Sequence, residues 1–401
     1  MKKKAFIVAA SLLLSVLVMV GNPPQASASE DTIKIGTLMS VTGWWAAAFD
    51  TTILNMTKIG VEMINEQGGI TVKGKKYKID LIVEDCKSDF NGVASAANKL
   101  IYDRGVKFIL GPSGYFVSAA TPVTEPAKVM MIVGWHINMP GEVDATTPHT
   151  FATSHGSTTK DIAAIKCMRQ DFPALKKIAL AVPDDGAIPY QMPIVRELLK
   201  ENGFEVVGDL ISFPNELEDF SPIVAKMLHL KGIEAVFVEK CAPPHLGSIM
   251  KGLRDAGNHL PVFTGSPIST AVVAAIAGPQ AAEGVRTTIE TRNDPNMPPI
   301  MTEMAKRYTE KYGTDTPLSY QCVTGLYILK NLMEAAQSIE PKKVMAKFES
   351  MDKIETIAGP GLICGEKTFG IRHVVAHPLG VQKFENGKPQ PAGWIDIGFV
   401  P

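Results

Sequence analysis

From Thr32 to Thr264 the chain repeats one pattern: a short apolar run rich in β-branched residues, a loop of small residues, then an amphipathic stretch at helical spacing. Strands are read at 32–39, 77–83, 106–110 and 129–133, and again at 177–182, 205–211, 235–239 and 261–264. Helices are read between them, at 46–67, 90–104, 116–127, 157–170, 190–202, 220–230 and 246–256. Strands separated by helices cannot pair as hairpins; they pair in parallel, with the helices packed on both faces. The chain is therefore expected to be α/β, built as two βα sets of similar size. After residue 300 come helices at 300–312, 320–338 and 342–350, then short alternating segments from 351 onward. Asn386-Gly387 marks a tight hairpin there.

In an open α/β sheet, ligands sit outside the carboxyl ends of the strands. The run 106–110 stops at Gly111-Pro112, and Ser113-Gly114-Tyr115 leads into a helix. Free backbone N–H groups make that turn either the floor of an anion site or a plain strand-to-helix connection. Three of the chain's four tryptophans, Trp44, Trp45 and Trp135, fall just past the ends of two strands of the first set. They are expected either to wall a cleft or to pack on neighbouring helices.

The 401 residues carry a net charge of −1, which gives no general attraction to nucleic acid or to an anionic membrane. Lys2-Lys3-Lys4, an apolar run over 5–20, a break at Gly21-Asn22-Pro23-Pro24 and the small residues Ala26-Ser27-Ala28 read as a secretory signal peptide, 1–28, cut after Ala28. The mature protein is expected to be exported to the periplasm. All five cysteines follow the cleavage site, widely spaced and without C-x-x-C. An odd number leaves at least one thiol unpaired, and Cys322 with Cys364 is the pairing considered first.

The order and spacing of several runs resemble the leucine/isoleucine/valine-type periplasmic solute-binding proteins of ABC importers. The runs are Ile35-Gly36 with Thr42-Gly43, Ile64-Asn65-Glu66-Gln67-Gly68-Gly69-Ile70, Ala97-Asn98-Lys99-Leu100-Ile101, Gly111-Pro112-Ser113, Pro122-Val123 and Ala282-Glu283-Gly284-Val285. The resemblance covers essentially the whole mature chain. It implies a two-lobe, type I Venus-flytrap fold, each lobe a parallel sheet flanked by helices, with three crossings of the chain. Lobe 1 is expected over 31–151 and 288–373, and lobe 2 over 152–287 and 374–401. The implied chemistry is capture of a small solute by hinge closure, with no bond made or broken. A membrane permease is the implied partner. No enzymatic step, cofactor, metal or nucleic acid is expected, and the protein is expected to act as a monomer.

On that template lobe 1 supplies Trp44, Trp45, Ser113, Gly114, Tyr115, Trp135, His136 and Asn138. Lobe 2 supplies Asp184, Ile188 and Tyr190 after one strand, Glu239 and Lys240 after the next, and Ser266 with Pro267 after the last. The Ser113 hydroxyl and the N–H groups of Gly114 and Tyr115 are expected to hold a carboxylate, with His136 either a further donor or merely solvated. Members that bind α-amino acids offer the ammonium group an acidic residue from lobe 2, and Gly265-Ser266-Pro267 has none at the matching loop. A buried ammonium without a counter-charge is costly. The expected ligand is thus a small organic acid, aromatic in the first reading. An amino acid, with Glu239 or Asp184 facing its ammonium, is the competing one. A ligand sensor docking on a membrane receptor shares the same fold. An exported hydrolase is the remaining class, although 111–115 misses G-x-S-x-G by one place.

Overall fold

A computed structural model describes residues 31–314 and 318–400; the expected signal peptide lies outside them. The first strands are β1 (Thr32–Met39), β2 (Ile70–Val72), β3 (Lys75–Asp85), β4 (Phe108–Leu110), β5 (Met130–Val133) and β6 (Thr150–Thr153). They are followed by β7 (Lys177–Asp184), β8 (Glu205–Val206), β9 (Ile211–Pro214), β10 (Ala235–Val238), β11 (Val262–Phe263) and β12 (Arg286–Thr287). The last are β13 (Lys353–Thr356), β14 (Gly359–Cys364), β15 (Val374–Ala376), β16 (Leu379–Glu385) and β17 (Lys388–Ile395).

These strands form two sheets. The first runs β13-β14-β15-β6-β5-β4-β1-β3-β2, and the second runs β17-β16-β12-β11-β10-β7-β8 with β9 also on β7. The βα repeats pair in parallel, and antiparallel pairs are confined to the sheet edges. The single strand read over 205–211 is two pieces: β8 pairs with Lys177–Ile178 and β9 with Ala181–Asp184. Gly208, at φ +73°, turns the chain out of the ladder between them. β6 and β15 both belong to the first sheet, so two crossings fall a few residues later than the expected 151/152 and 373/374. The hairpin at Asn386-Gly387 is present between β16 and β17, with both residues at positive φ.

Helices cover both faces of each sheet. In the first lobe, Thr51–Glu66, Pro299–Tyr312 and Gln321–Ala336 pack one face through Met56, Met304 and Leu329. Phe90–Asn98 and Val117–Thr124 pack the other through Val93 and Val117. In the second lobe, Ser157–Asp171 and Ile188–Glu201 oppose Ser221–His229 and Pro243–Asp255 in the same way. All five cysteines are unpaired and buried, so the Cys322–Cys364 pairing is not formed.

The run Ile64–Ile70 shows how sequence sets register. The Asn65 amide donates to the Ile79 carbonyl at 2.9 Å and accepts the Ile79 N–H at 2.7 Å, which locks the helix end to β3. Gly69 sits at φ +85°, and a Cβ there would lie 2.1 Å from the Tyr77 carbonyl oxygen. Gly69→Ala is expected to lower the unfolding free energy by about 2–3 kcal/mol, read as a shifted urea midpoint.

Candidate functional site

The carboxyl ends of the two sheets face each other across a cleft. Its lining residues follow strand ends: Trp44 and Trp45 after β1, Phe90 after β3, Tyr115 after β4 and Trp135 after β5. Across from them stand Asp185 after β7, Asn215 after β9, Lys240 to His245 after β10 and Pro267 after β11. These residues enclose a chamber of about 840 Å³. A second chamber, about 300 Å³, lies beside it and shares Phe49, Pro267 and Ile268 as its partition. A narrow gap between Trp135, Lys160, Asp161, Glu239, Lys240 and Pro267 completes the cleft floor.

The first lobe offers an aromatic wall. The Trp45 and Trp135 rings stack at 5.6 Å and 20°, with Phe49 and Tyr115 against Trp45 at 4.6 and 5.3 Å. Trp44 stands edge-on to Trp45 and is 64% exposed at the cleft mouth. Beneath the wall runs a hydrogen-bond chain. The Trp45 indole N–H donates to the Ser113 hydroxyl at 3.0 Å, and that hydroxyl donates to the Asp50 carboxylate at 2.5 Å. The other Asp50 oxygen accepts the Ser40 N–H at 2.7 Å. Burial holds the Asp50 carboxyl up at about 6.

This corrects the expected anion cradle. Ser113 is fully buried and both of its hydrogen-bonding roles are taken, one of them by a carboxylate. The Gly114 N–H is bound to the Trp135 carbonyl at 3.0 Å. Gly114 instead makes room for the wall, because a Cβ there would lie 2.6 Å from the Trp45 ring. His136 is buried too, packed on Gly156 and edge-on to Phe369, and burial pulls it down to about 4. It does not line either chamber. Asn138, at φ +65°, reaches across to the second lobe, where its amide donates to Thr158 at 2.6 Å and to Gln191. It is a tie between lobes.

The second lobe offers charge. Lys240 holds Asp185 with both carboxylate oxygens, at 3.0 and 2.9 Å. Asp185, not the exposed Asp184, is the acid that faces the cleft, since consecutive residues at a strand end point opposite ways. Ile188 packs on the core of its own lobe and Tyr190 is exposed; neither lines the chambers. Glu239 is fully buried against the Asp161 carboxyl, and no N–H or hydroxyl donor among the described residues reaches its oxygens.

Four residues that sequence reasoning missed complete the floor: Lys160, Asp161, Glu290 and Gln321. Lys160 and Asp161 start the helix Ser157–Asp171, and both are buried. The Lys160 ammonium has no hydrogen-bond partner among the described residues, lies 5.4 Å from the Trp135 ring, and has the Glu290 and Asp161 carboxyls acting on its charge. Burial lowers its pKa, and it raises those of Asp161, Glu239 and Glu290. Gln191 holds Asp161 at 2.7 Å, and only glycine fits at 265, where a Cβ would meet Asp161 at 2.3 Å. A charged pair near the start of a helix straight after a crossing is the one sequence signal that could have marked Lys160 and Asp161. Among the described residues no group of His, Cys, Asp or Glu has the geometry to hold a metal ion.

Glu142 braces the loop that carries Asn138, accepting the N–H groups of Ile137 and Met139 at 3.0 Å each. Burial raises its pKa from 4.5 to about 8. Between those values the folded protein keeps a proton that the unfolded chain has lost, so stability falls as pH rises through the window. Buried His136, His373 and His377, pulled from 6.5 to about 4, act in the opposite sense below 6.5. Lys160, pulled by burial from 10.5 to about 7, works against Glu142 above pH 7, so the expected readout is a difference: between pH 6.5 and 8 the melting temperature falls less with pH in Glu142→Gln than in the parent, as read by calorimetry.

Residues 32–388 match the family described as periplasmic binding protein. Leu/Ile/Val-binding protein homolog 2 of Brucella abortus (strain 2308) is 26% identical over 361 residues, 90% of this chain and 91% of its own length. The substrate-binding protein LivJ from Streptococcus pneumoniae, solved with isoleucine, has a TM-score of 0.72 at 19% identity, over 91% of this chain and 99% of its own. A solute-binding protein from Rhodopseudomonas palustris BisB5, solved with 3,4-dihydroxybenzoic acid, has a TM-score of 0.69 at 21% identity, over 92% and 98%. With the match spanning both lobes, the chain belongs to the periplasmic binding proteins, and it shares the two-lobe fold of these solved structures.

Proposed function

We propose that this protein captures a small aromatic carboxylate in its cleft, as a monomer, and delivers it to the permease of an ABC importer. Its ring lies against the Trp45–Trp135 wall, and its carboxylate meets Lys160. The single observation that carries this reading is the Lys160 ammonium, buried, without a hydrogen-bond partner among the described residues, and 5.4 Å from the Trp135 ring, with the Glu290 and Asp161 carboxyls acting on its charge. A buried cation in that state is stabilised by an anion brought to it. The aromatic wall adds the stacking surface that a ring needs. The Rhodopseudomonas relative solved with a dihydroxybenzoic acid agrees with such a ligand in this fold. Capture needs no covalent step, and the family's members are binding proteins of transporters. We place the mature N-terminus after Ala28, so intact-mass measurement of the exported protein is expected to lack residues 1–28; an uncut chain overturns that placement.

A second reading is an amino acid, with the carboxylate on Lys160 and the ammonium facing Glu239. It is favoured by the Glu239 carboxyl, whose oxygens no N–H or hydroxyl donor among the described residues reaches. The streptococcal relative solved with isoleucine is of this ligand class. Titration with benzoate, 4-hydroxybenzoate, leucine and isoleucine, read by tryptophan fluorescence, separates the two. Binding of the benzoates alone supports the first reading, and binding of amino acids alone refutes it. Lys160→Met is expected to weaken the carboxylate by about tenfold to a hundredfold, the value of a charge-assisted hydrogen bond in a buried site. Trp135→Ala is expected to weaken an aromatic ligand more than a branched aliphatic one.

A further inference from the structure

The tie that Asn138 makes between the lobes does not end at Gln191. The Asn138 amide donates to Thr158 Oγ1 at 2.6 Å and to Gln191 Oε1. Gln191 is fully buried, and its Nε2 donates to Asp161 Oδ2 at 2.7 Å. Asp161 in turn lies against the Glu239 carboxyl, and Gly265 leaves the space it occupies. One line of side chains thus runs from the turn after β5 in the first lobe to the end of β10 in the second. Both carboxyls line a gap of about 10 Å³, room for no more than one water. Among the described residues Trp135 is the one first-lobe side chain that closes this gap. Two carboxylates in contact cannot both stay ionised in so dry a site. The pair therefore keeps one proton between its oxygens while the gap is shut. Lys240 faces the pair, but both Asp185 oxygens hold it. Lys160, with Glu290 beside it, and the buried Tyr115 phenol and Cys241 thiol are the other ionisable groups around the pair.

We infer that Asn138, Gln191, Asp161 and Glu239 form a proton-held latch between the lobes, which the proton shared by the two carboxyls closes and its loss opens. Lifting Trp135 off the gap wets the pair and lets both groups ionise as they do in water, at about pH 4. Closing therefore takes up one proton. Losing that proton in the shut gap leaves two like charges in contact. Asp161 is then driven off Glu239, Gln191 Nε2 loses its acceptor, and Gln191 Oε1 is no longer held towards Asn138. Burial raises the Asp161 carboxyl from 3.8 to about 7, so the closed form is favoured on the acid side and given up as pH rises through that value. Glu290, raised by burial, acts in the same sense, and Lys160, lowered by it, acts in the opposite one. The readout is accordingly a difference between variants.

Small-angle X-ray scattering of the ligand-free mature protein, at about pH 6 and about pH 8.5, reads the separation of the lobes and does not depend on which ligand the cleft takes. Glu239→Gln replaces the shared proton by an amide N–H that donates to Asp161 at either pH. The parent's closed-to-open ratio is expected to fall about tenfold more per pH unit above about 7 than the variant's, the linkage of one proton. The radius of gyration then grows with pH more in the parent than in Glu239→Gln. Asp161→Asn, assayed alongside, gives the same flattening if the first variant does not fold. Asn138→Ala cuts the first-lobe end of the line, and is expected to have the larger radius already at pH 6 and to lose the parent's dependence. An equal change with pH in the parent and the carboxyl variants overturns the inference. So does an Asn138→Ala protein that follows the parent at both pH values, which confines the titration to the second lobe and leaves it no hold on closure.

Discussion

The hydrogen-bond chain from the Trp45 indole through the Ser113 hydroxyl to the Asp50 carboxyl holds the first lobe's half of the cleft together. It joins the turn after β1 to the turn after β4 and keeps the ring of Trp45 at a fixed tilt. Trp135, Phe49 and Tyr115 then pack on that ring, and Gly114 yields the space it occupies. Asp50 has hydroxyl, indole and backbone donors around it, and the nearby Cys86 and Cys322 are uncharged thiols. No cation stands among the groups that shift its titration. A carboxylate stabilised by hydrogen bonds alone depends on every one of them, since an unpaired buried charge is far costlier than a lost contact.

The two jaws are therefore unlike in kind. One is an aromatic surface whose Trp45 indole N–H and Ser113 hydroxyl are satisfied from behind. The other carries ionisable groups on the helix Ser157–Asp171 and on the turn after β10, several of them unsatisfied. Parallel sheets make this division possible. Every turn at a carboxyl end points the same way, so two sheets set end to end bring the loops after eight strands to one place. Stability can be left to the helices on the outer faces, and chemistry to the turns.

The alternation of strand and helix was legible because each run is long enough to show its period, and both sheets follow from it. The tryptophans stood out for a different reason, their place in strand-end loops; Trp45 and Trp135 prove to be buried in the packing there, and only Trp44 is exposed. What could not be read was which of two adjacent side chains turns inward. Asp184 and Asp185 are equivalent in sequence, but the pleat sends only the second to Lys240. Ser113 resembled an anion donor because its own acceptor, Asp50, lies 63 residues away in the chain. Lys160, Glu290 and Gln321 meet only through the crossings, which bring together segments that no local pattern links. Strand β8–β9 was read as continuous because Gly208 gives no sign, without its neighbours, of whether it bulges or breaks the ladder.

The five unpaired thiols have one further consequence. A thiol reacts as its thiolate, and burial pushes the Cys167 thiol up to about 12 and the Cys241 thiol to about 11. At neutral pH these side chains keep their protons and are inert to oxidants while covered. The fold is thus held without any disulfide cross-link among the described residues. Cys241 differs from the rest in lying on the cleft itself, beside Pro243 and Lys240. Parting the jaws would wet it and leave thiols such as Cys167 and Cys364 dry within their packed cluster.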